Sequence, residues 1–294
     1  MTVTELCNSF MNRYARDRLR PTTIRGYQTN IDRHILPTLG EADIADLTPE
    51  DLDTLTDALR EKGLSNRSAV YAHATLRKAL NYAVKRRYIP ANPYDWFDLP
   101  RVEEYRYQVL NPDQIRKLLE DSAGLDPLKL AVRLSLRYGL RRGEVLGLIP
   151  ETDLDLCDCT IHIQRSRTIE EGREVLTPCK TKHSNRRILI LPADAVDLST
   201  ILHGYAVPLT PTQLDKRFRD FLEREELPPI RFHDLRHSYA TLMLRRGVNP
   251  KIVSTVLGHS CIAITVDIKN RHMIDKPSKQ PIMYEKYYEC RVIS

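Results

Sequence analysis

Through the first hundred residues the apolar positions recur at helical spacing, and four helices account for them. Leu6, Phe10 and Tyr14 are four apart and predict a helix from Glu5 to about Leu19, capped by Thr4. Pro21 and Thr22 open a second helix with Ile24, Tyr27 and Ile31 on one face, ended by Pro37 and Gly40. Thr48-Pro49-Glu50-Asp51 combines a capping threonine, a proline at the first helical position and acids in the first turn. That helix runs to about Lys62 and stops at Gly63. A fourth, from Ser65 to Arg87, carries Val70, Leu76, Leu80 and Val84. Its basic edge of Arg77, Lys78, Lys85, Arg86 and Arg87 is either a solvated face or a phosphate-tracking one.

Pro90, Pro93 and Pro100 then break the pattern, and Arg101 to Gln108 is charged, aromatic and aperiodic, as a linker would be. Past it the period changes. Leu110-Asn111-Pro112-Asp113 starts another helix, and Leu128 to Tyr138 forms an apolar one. Asp153 to Arg167 alternates as a strand does, Glu170 to Arg173 is a turn, and Val175-Leu176 and Ile188 to Leu191 are further short strands. Helices follow at Thr212 to Arg224, at Leu235 to Arg246 before Gly247, and from Asn249-Pro250 to Gly258. The segment from Leu191 to Pro208 is compact. The fold expected is mainly α with a small antiparallel β-sheet (α+β). Its parts are a helical domain over residues 1–100, a linker over 101–109, a second domain over 110–275 and a tail over 276–294.

Composition narrows the class. The 294 residues suffice for two cores, and 29% charged with 41% apolar residues is ordinary for a globular protein. No apolar run nears the ~20 residues of a membrane span, so the chain is expected in the cytoplasm, associated with the nucleoid. The six cysteines contain no CxxC pair and fit reduced packing residues better than structural zinc. Net charge is +6, with basic residues gathered in Arg13 to Arg25, Arg77 to Arg87, Lys180 to Arg187 and Arg236 to Arg246, and acids in Glu41 to Glu61. Such segregation lets one face follow DNA phosphates.

Three short blocks carry the candidate chemistry: Gly139-Leu140-Arg141-Arg142-Gly143-Glu144, His233-Asp234-Leu235-Arg236-His237 and Leu257-Gly258-His259-Ser260. Lys180 stands in a basic turn between two short strands. Transfer at a phosphodiester builds negative charge on the non-bridging oxygens, which fixed guanidinium groups can meet bidentately. Arg141 and Arg236 suit that task. Lys180 suits a general acid for the departing oxygen, and His233 and His259 suit donors or proton carriers. Glu144, three residues after Arg141, suits an orienting acceptor.

In order, separation and context these blocks resemble the active site of the tyrosine recombinase (phage integrase) family, from about Val3 to about Asp267. The resemblance implies a four-helix, SAM-like core-binding domain followed by a catalytic domain, closed as a clamp on double-stranded DNA. It implies strand cleavage and rejoining through a 3′-phosphotyrosyl intermediate, with no cofactor and no metal ion. It also implies a homo-oligomer, a tetramer, on DNA, and a site-specific integrase of a phage or mobile element. Family members end the site as Thr-x-x-x-Tyr-x-His. Here Thr265 is followed at that spacing by Lys269, and Lys269-Asn270-Arg271 precedes His272 with one residue more than the family's Tyr-x. A protonated amine does not replace a phenolic nucleophile. Cleavage is therefore expected to be impaired, with Tyr284, Tyr287 and Tyr288 as substitutes of last resort. Two alternatives stand beside this reading: a relative that occupies recombination sites without cutting, and a type IB topoisomerase-like enzyme.

Overall fold

A computed structural model describes residues 1–102, 108–170, 172–179, 182–259 and 261–271. The chain divides into two units, Met1–Tyr105 and Arg106–Ser294.

Thr2 caps the first helix, where Thr4 was expected to. The Thr2 hydroxyl accepts from the Glu5 N–H at 3.2 Å and the Glu5 carboxylate accepts from the Thr2 N–H at 3.0 Å. Thr4 instead donates its hydroxyl to the Gly40 carbonyl at 2.9 Å, a tertiary partner that local pattern cannot show. Helix α1 (Val3–Phe10) runs through a π-helical turn (Met11–Ala15) into a short α turn (Arg16–Arg18). Helix α2 (Pro21–Asn30) does the same through Ile31–Ile35 into Leu36–Leu39. Pro37 therefore does not end it: the proline falls at the start of a new turn, where a missing N–H matters little. Helix α3 (Pro49–Glu61) has the reciprocal Thr48–Asp51 cap, and α4 (Asn66–Lys85) is capped by Ser65. Leu6, Phe10, Ile31, Ile35, Leu52, Leu55, Leu76 and Leu80 share one core. Within it His73 is fully buried, its Nε2 2.9 Å from the Thr56 hydroxyl and its Nδ1 2.8 Å from the Tyr94 hydroxyl.

The second unit begins with α5 (Pro112–Asp121) and α6 (Pro127–Tyr138). The stretch that alternates from Asp153 is not one strand. The Asp155 carboxylate accepts from the N–H groups of Cys157 and Asp158, and Cys159 takes a positive φ of 49°. That turn separates β1 (Leu154–Asp155) from β2 (Thr160–Ile163), and β3 (Arg165–Glu170) then leaves for a second sheet. β2 pairs antiparallel with β1 and with β5 (Arg186–Leu189), while β3 forms a hairpin with β4 (Arg173–Pro178). The sequence suggested one small sheet; there are two among the described residues. A short helix, α7 (Arg142–Leu146), lies against β3 so closely that a Cβ on Gly143 would come 2.2 Å from Ser166 Oγ. A short α turn spans Pro150–Asp153, and the longer helices that remain are α8 (Pro192–Ser199), α9 (Pro211–Arg224), α10 (Asp234–Arg245), α11 (Pro250–Leu257) and α12 (Ile262–Arg271). Helix α8 occupies the compact stretch before Pro208, and α12 was not foreseen. Buried Leu130, Leu134, Tyr138, Leu146, Ile161, Phe218 and Leu235 belong to this unit's core.

Candidate active site

The last carbonyls of a helix have no partner inside it, and the C-terminal dipole favours cations there. At the C-terminal end of α11 three consecutive carbonyls, the last on its capping residue Gly258, are each met by a different arginine. Val256 O accepts from Arg186 Nε at 2.6 Å, Leu257 O from Arg236 Nη2 at 2.7 Å, and Gly258 O from Arg141 Nη2 at 2.9 Å. Gly258 makes the junction possible. Its φ is +63°, and an added Cβ would stand 2.8 Å from His183 O. The end of α11 thus gathers side chains from the residue that caps α7, from β5 and from α10.

Arg141, just ahead of α7, is the member of this group that faces outward, with about a third of its side chain exposed (32%). Its Nη1 donates to Glu144 Oε1 at 2.6 Å, and its backbone N–H donates to Glu144 Oε2 at 2.9 Å. Glu144 is buried and serves two guanidinium groups at once. Arg186 Nη1 and Nη2 donate to its two oxygens at 3.1 and 3.0 Å. Burial pushes the Glu144 carboxyl up, but the hydrogen bonds and charge of Arg186, with Arg141 and Arg236, outweigh it and hold the pKa at about 2. Glu144 thus accepts from two guanidinium groups and from the Arg141 N–H.

Arg236 differs from Arg141. It is 3% exposed, with Nη1 on Gly139 O at 2.6 Å and Nη2 on Leu257 O at 2.7 Å. Burial, then the charge of Arg141, push its pKa below the ordinary arginine value. The sequence treated the two arginines as equivalent forks. The structure makes Arg236 a buried cation clamped on backbone and Arg141 the one that can reach outward.

The histidines gather around these charges. His233, exposed at the start of α10, and His237 one turn on face each other edge to face at 5.1 Å. His259 follows Gly258, and its Nδ1 lies 2.9 Å from the Thr265 hydroxyl, which is fully buried. Partial desolvation, then the charge of Arg236, lower His233 below the ordinary histidine value, and the same two causes lower His259 to about 3. Enclosure, then His233, lower His237 to about 4. All three rings are neutral at pH 7 and can donate or accept without adding charge.

The Thr265–His259 bond also sets the register of α12, in which residue 269 lies four positions, one turn, after Thr265. Lys180, Tyr284, Tyr287 and Tyr288 lie outside the described residues. So does His272. Arg77, Lys78, Lys85, Arg86 and Arg87 are all exposed along and just beyond α4. Arg77 is 3.9 Å from Asp95, Arg86 lies over the Tyr82 ring at 5.4 Å, and Arg87 holds a positive φ of 60°. Sequence reasoning missed Arg186, hidden in the basic run from Lys180 to Arg187. Nothing in spacing separates it from Arg187, whose side chain is 63% exposed beside Asp155. Among the described residues no group of three or more His, Cys, Asp or Glu could hold a metal ion, and no helix is long and apolar enough to cross a membrane.

Residues 108–272, over half the chain, match the Phage integrase family, and residues 2–59 match the N-terminal SAM-like domain of phage integrases. The chain belongs to the phage integrase family. It is a tyrosine recombinase by sequence and by its α+β fold. The ICEBs1 integrase of Bacillus subtilis is 26% identical over 290 residues, covering 91% of this chain and 77% of its own. A tyrosine recombinase XerC from Alcanivorax borkumensis is 28% identical over 270 residues, covering 88% and 86%. The Tn1549 transposon integrase, solved with transposon right end DNA, superposes with a TM-score of 0.80 at 20% identity, covering all of both chains. A lambda integrase dimer bound to a core site gives 0.70 at 18% identity, covering 96% of this chain and 81% of its own.

Proposed function

We propose that this chain is a site-specific integrase of a phage or mobile element that grips duplex DNA and holds its scissile phosphate, but is impaired in cutting. The observation that supports this reading is in α12: the Thr265 hydroxyl is bonded to His259, and residue 269 follows Thr265 by four positions, the spacing at which the family carries its tyrosine. The similar proteins support the mobile-element origin, since one is named a transposon integrase and another the ICEBs1 integrase.

In the proposed complex Arg141 meets the phosphate, because it is the outward member of the arginine group. Arg236 supplies fixed charge from behind, already desolvated and clamped, so it needs no reorganisation as charge builds. Neutral His233 and His259 donate N–H groups to the non-bridging oxygens. Lys180 serves as the acid for the 5′ oxygen, and Glu144 orients Arg141. What is missing is an attacking oxygen. An ammonium at residue 269 holds no lone pair at neutral pH, so the site binds the phosphate without breaking it.

The first unit serves as the core-binding domain, residues 101–109 as a linker, and the exposed basic residues Arg77, Lys78, Lys85, Arg86 and Arg87 as phosphate contacts. On DNA the chain assembles as a tetramer. The lambda integrase tetramer on a Holliday junction, with a TM-score of 0.67 at 18% identity, supports that assembly. The test uses nicked suicide duplexes built from the ends of the element that carries the gene. The reading expects retarded complexes by gel shift and no covalent protein–DNA adduct after denaturation. Absence of binding at low salt would refute the DNA reading, and an adduct would refute the impairment.

A further inference from the structure

Arg186 makes four hydrogen bonds from one guanidinium to three segments of the site. Nε reaches Val256 O at 2.6 Å, at the end of α11. Nη1 reaches Ser184 O at 3.0 Å, where the turn between β4 and β5 closes, and Glu144 Oε1 at 3.1 Å. Nη2 reaches Glu144 Oε2 at 3.0 Å. The same Ser184 carbonyl accepts the Cys179 thiol at 3.3 Å. Only 7% of the Arg186 side chain is exposed, so it is placed to act on its neighbours and not on DNA.

The consequence lies in how one carboxylate divides its charge. Glu144 is buried between Arg186, on both of its oxygens, and Arg141, on one. A buried carboxylate with a single cation turns its whole charge on that cation; a second cation, here on both oxygens, shares that charge. We propose that Arg186 is a positioning residue that engages Glu144 so that the outward guanidinium of Arg141 stays available to a DNA phosphate. A planar fork is required for this. An ammonium cannot span two carboxylate oxygens and two carbonyls at fixed angles. Because the proposal rests on the reading that Arg141 meets a phosphate, the test separates the two.

The full chain is titrated with a mixed-sequence 22-base-pair duplex across a range of salt, and the slope of log K against log salt is read for each variant. One lost phosphate contact lowers the slope magnitude by about 0.9. Arg141→Ala is expected to lose about that much; if it does not, the phosphate reading fails and the Arg186 proposal, which rests on it, falls too. Given that loss, Arg186→Ala is expected to lose the same amount, and Arg141→Ala/Arg186→Ala no more than either alone. Glu144→Gln placed on Arg186→Ala is expected to restore the slope, since no carboxylate then draws Arg141 inward. A merely structural arginine would give the opposite, a double variant worse than the single. Should Arg186→Ala not fold, Arg186→Gln, which can still donate to a carbonyl, takes its place. A wild-type slope in a folded Arg186 variant, additive losses, no rescue by Glu144→Gln, or failure of both variants to fold would each overturn the proposal.

Discussion

Arg236→Ala separates a clamped cation from a reaching one, and its size can be worked from the hydrogen bonds. The substitution leaves Gly139 O and Leu257 O without the donors they have at 2.6 and 2.7 Å. A buried acceptor left unpaired costs about 1–3 kcal/mol, so two cost about 2–6 kcal/mol. Removing a desolvated cation returns part of that, and about 3 kcal/mol is the net expectation. The side chain is 3% exposed, so water does not replace the guanidinium without opening the packing of α10 on α6. Arg141→Ala removes a third-exposed side chain whose partner Glu144 keeps Arg186; only the part-buried Gly258 O loses its donor, and the expected cost is about 1 kcal/mol. Equilibrium urea unfolding followed by far-UV circular dichroism measures both. A loss below about 1 kcal/mol for Arg236→Ala, or equal losses for the two variants, would refute the clamped-cation reasoning.

Three further expectations follow from particular residues. The pKa of fully buried His73 is pushed down to about 4 by burial, so its neutral form is the folded one. Stability is then complete above pH 6.5 and falls as pH drops from there to about 4, by about 3 kcal/mol. Fluorescence of Trp96, the chain's single tryptophan, follows this in the first unit, and His73→Gln should flatten the profile. Arg87→Gly should stabilise by about 1 kcal/mol, because a positive φ of 60° strains any side-chain-bearing residue, yet weaken DNA binding; a thermal melt and a gel shift read the two effects. DNA affinity of the whole chain should fall steeply with salt, by about 0.9 in the log–log slope per neutralised phosphate, and salt-insensitive binding would remove the basic edge of α4 from the interface.

Much of the fold is legible in the sequence, because proline-led caps such as Thr48-Pro49 and Asn111-Pro112 and glycine stops such as Gly258 act locally. What escapes is set by distant partners. Thr4 reads as a cap until Gly40 claims its hydroxyl, and Pro37 reads as a stop until the π-helical turn before it shifts the pairing. Of the candidate site, Arg141, Glu144, Arg236, His233 and His259 can be named from their blocks, and the structure brings them around the end of α11. Their inequality cannot be named so, since burial of Arg236 and exposure of Arg141 depend on which carbonyls lie nearby. Arg186 is invisible for the same reason: its signature is four acceptors from three segments far apart in the chain. Helix α12 was missed because its residues Ile262 and Val266 are partly exposed and give no clean apolar stripe.

The central claim is that the phosphate-binding groups are in place and the attacking oxygen is not. It is tested most directly by replacing Lys269-Asn270-Arg271 with Tyr-Gly, which restores the family's spacing to both Thr265 and His272, and incubating the repaired and wild-type chains with the same nicked suicide duplexes. The account predicts a covalent adduct with the repaired chain and none with the wild type. An adduct formed by the wild-type chain and abolished by Tyr284→Phe, Tyr287→Phe or Tyr288→Phe would contradict it.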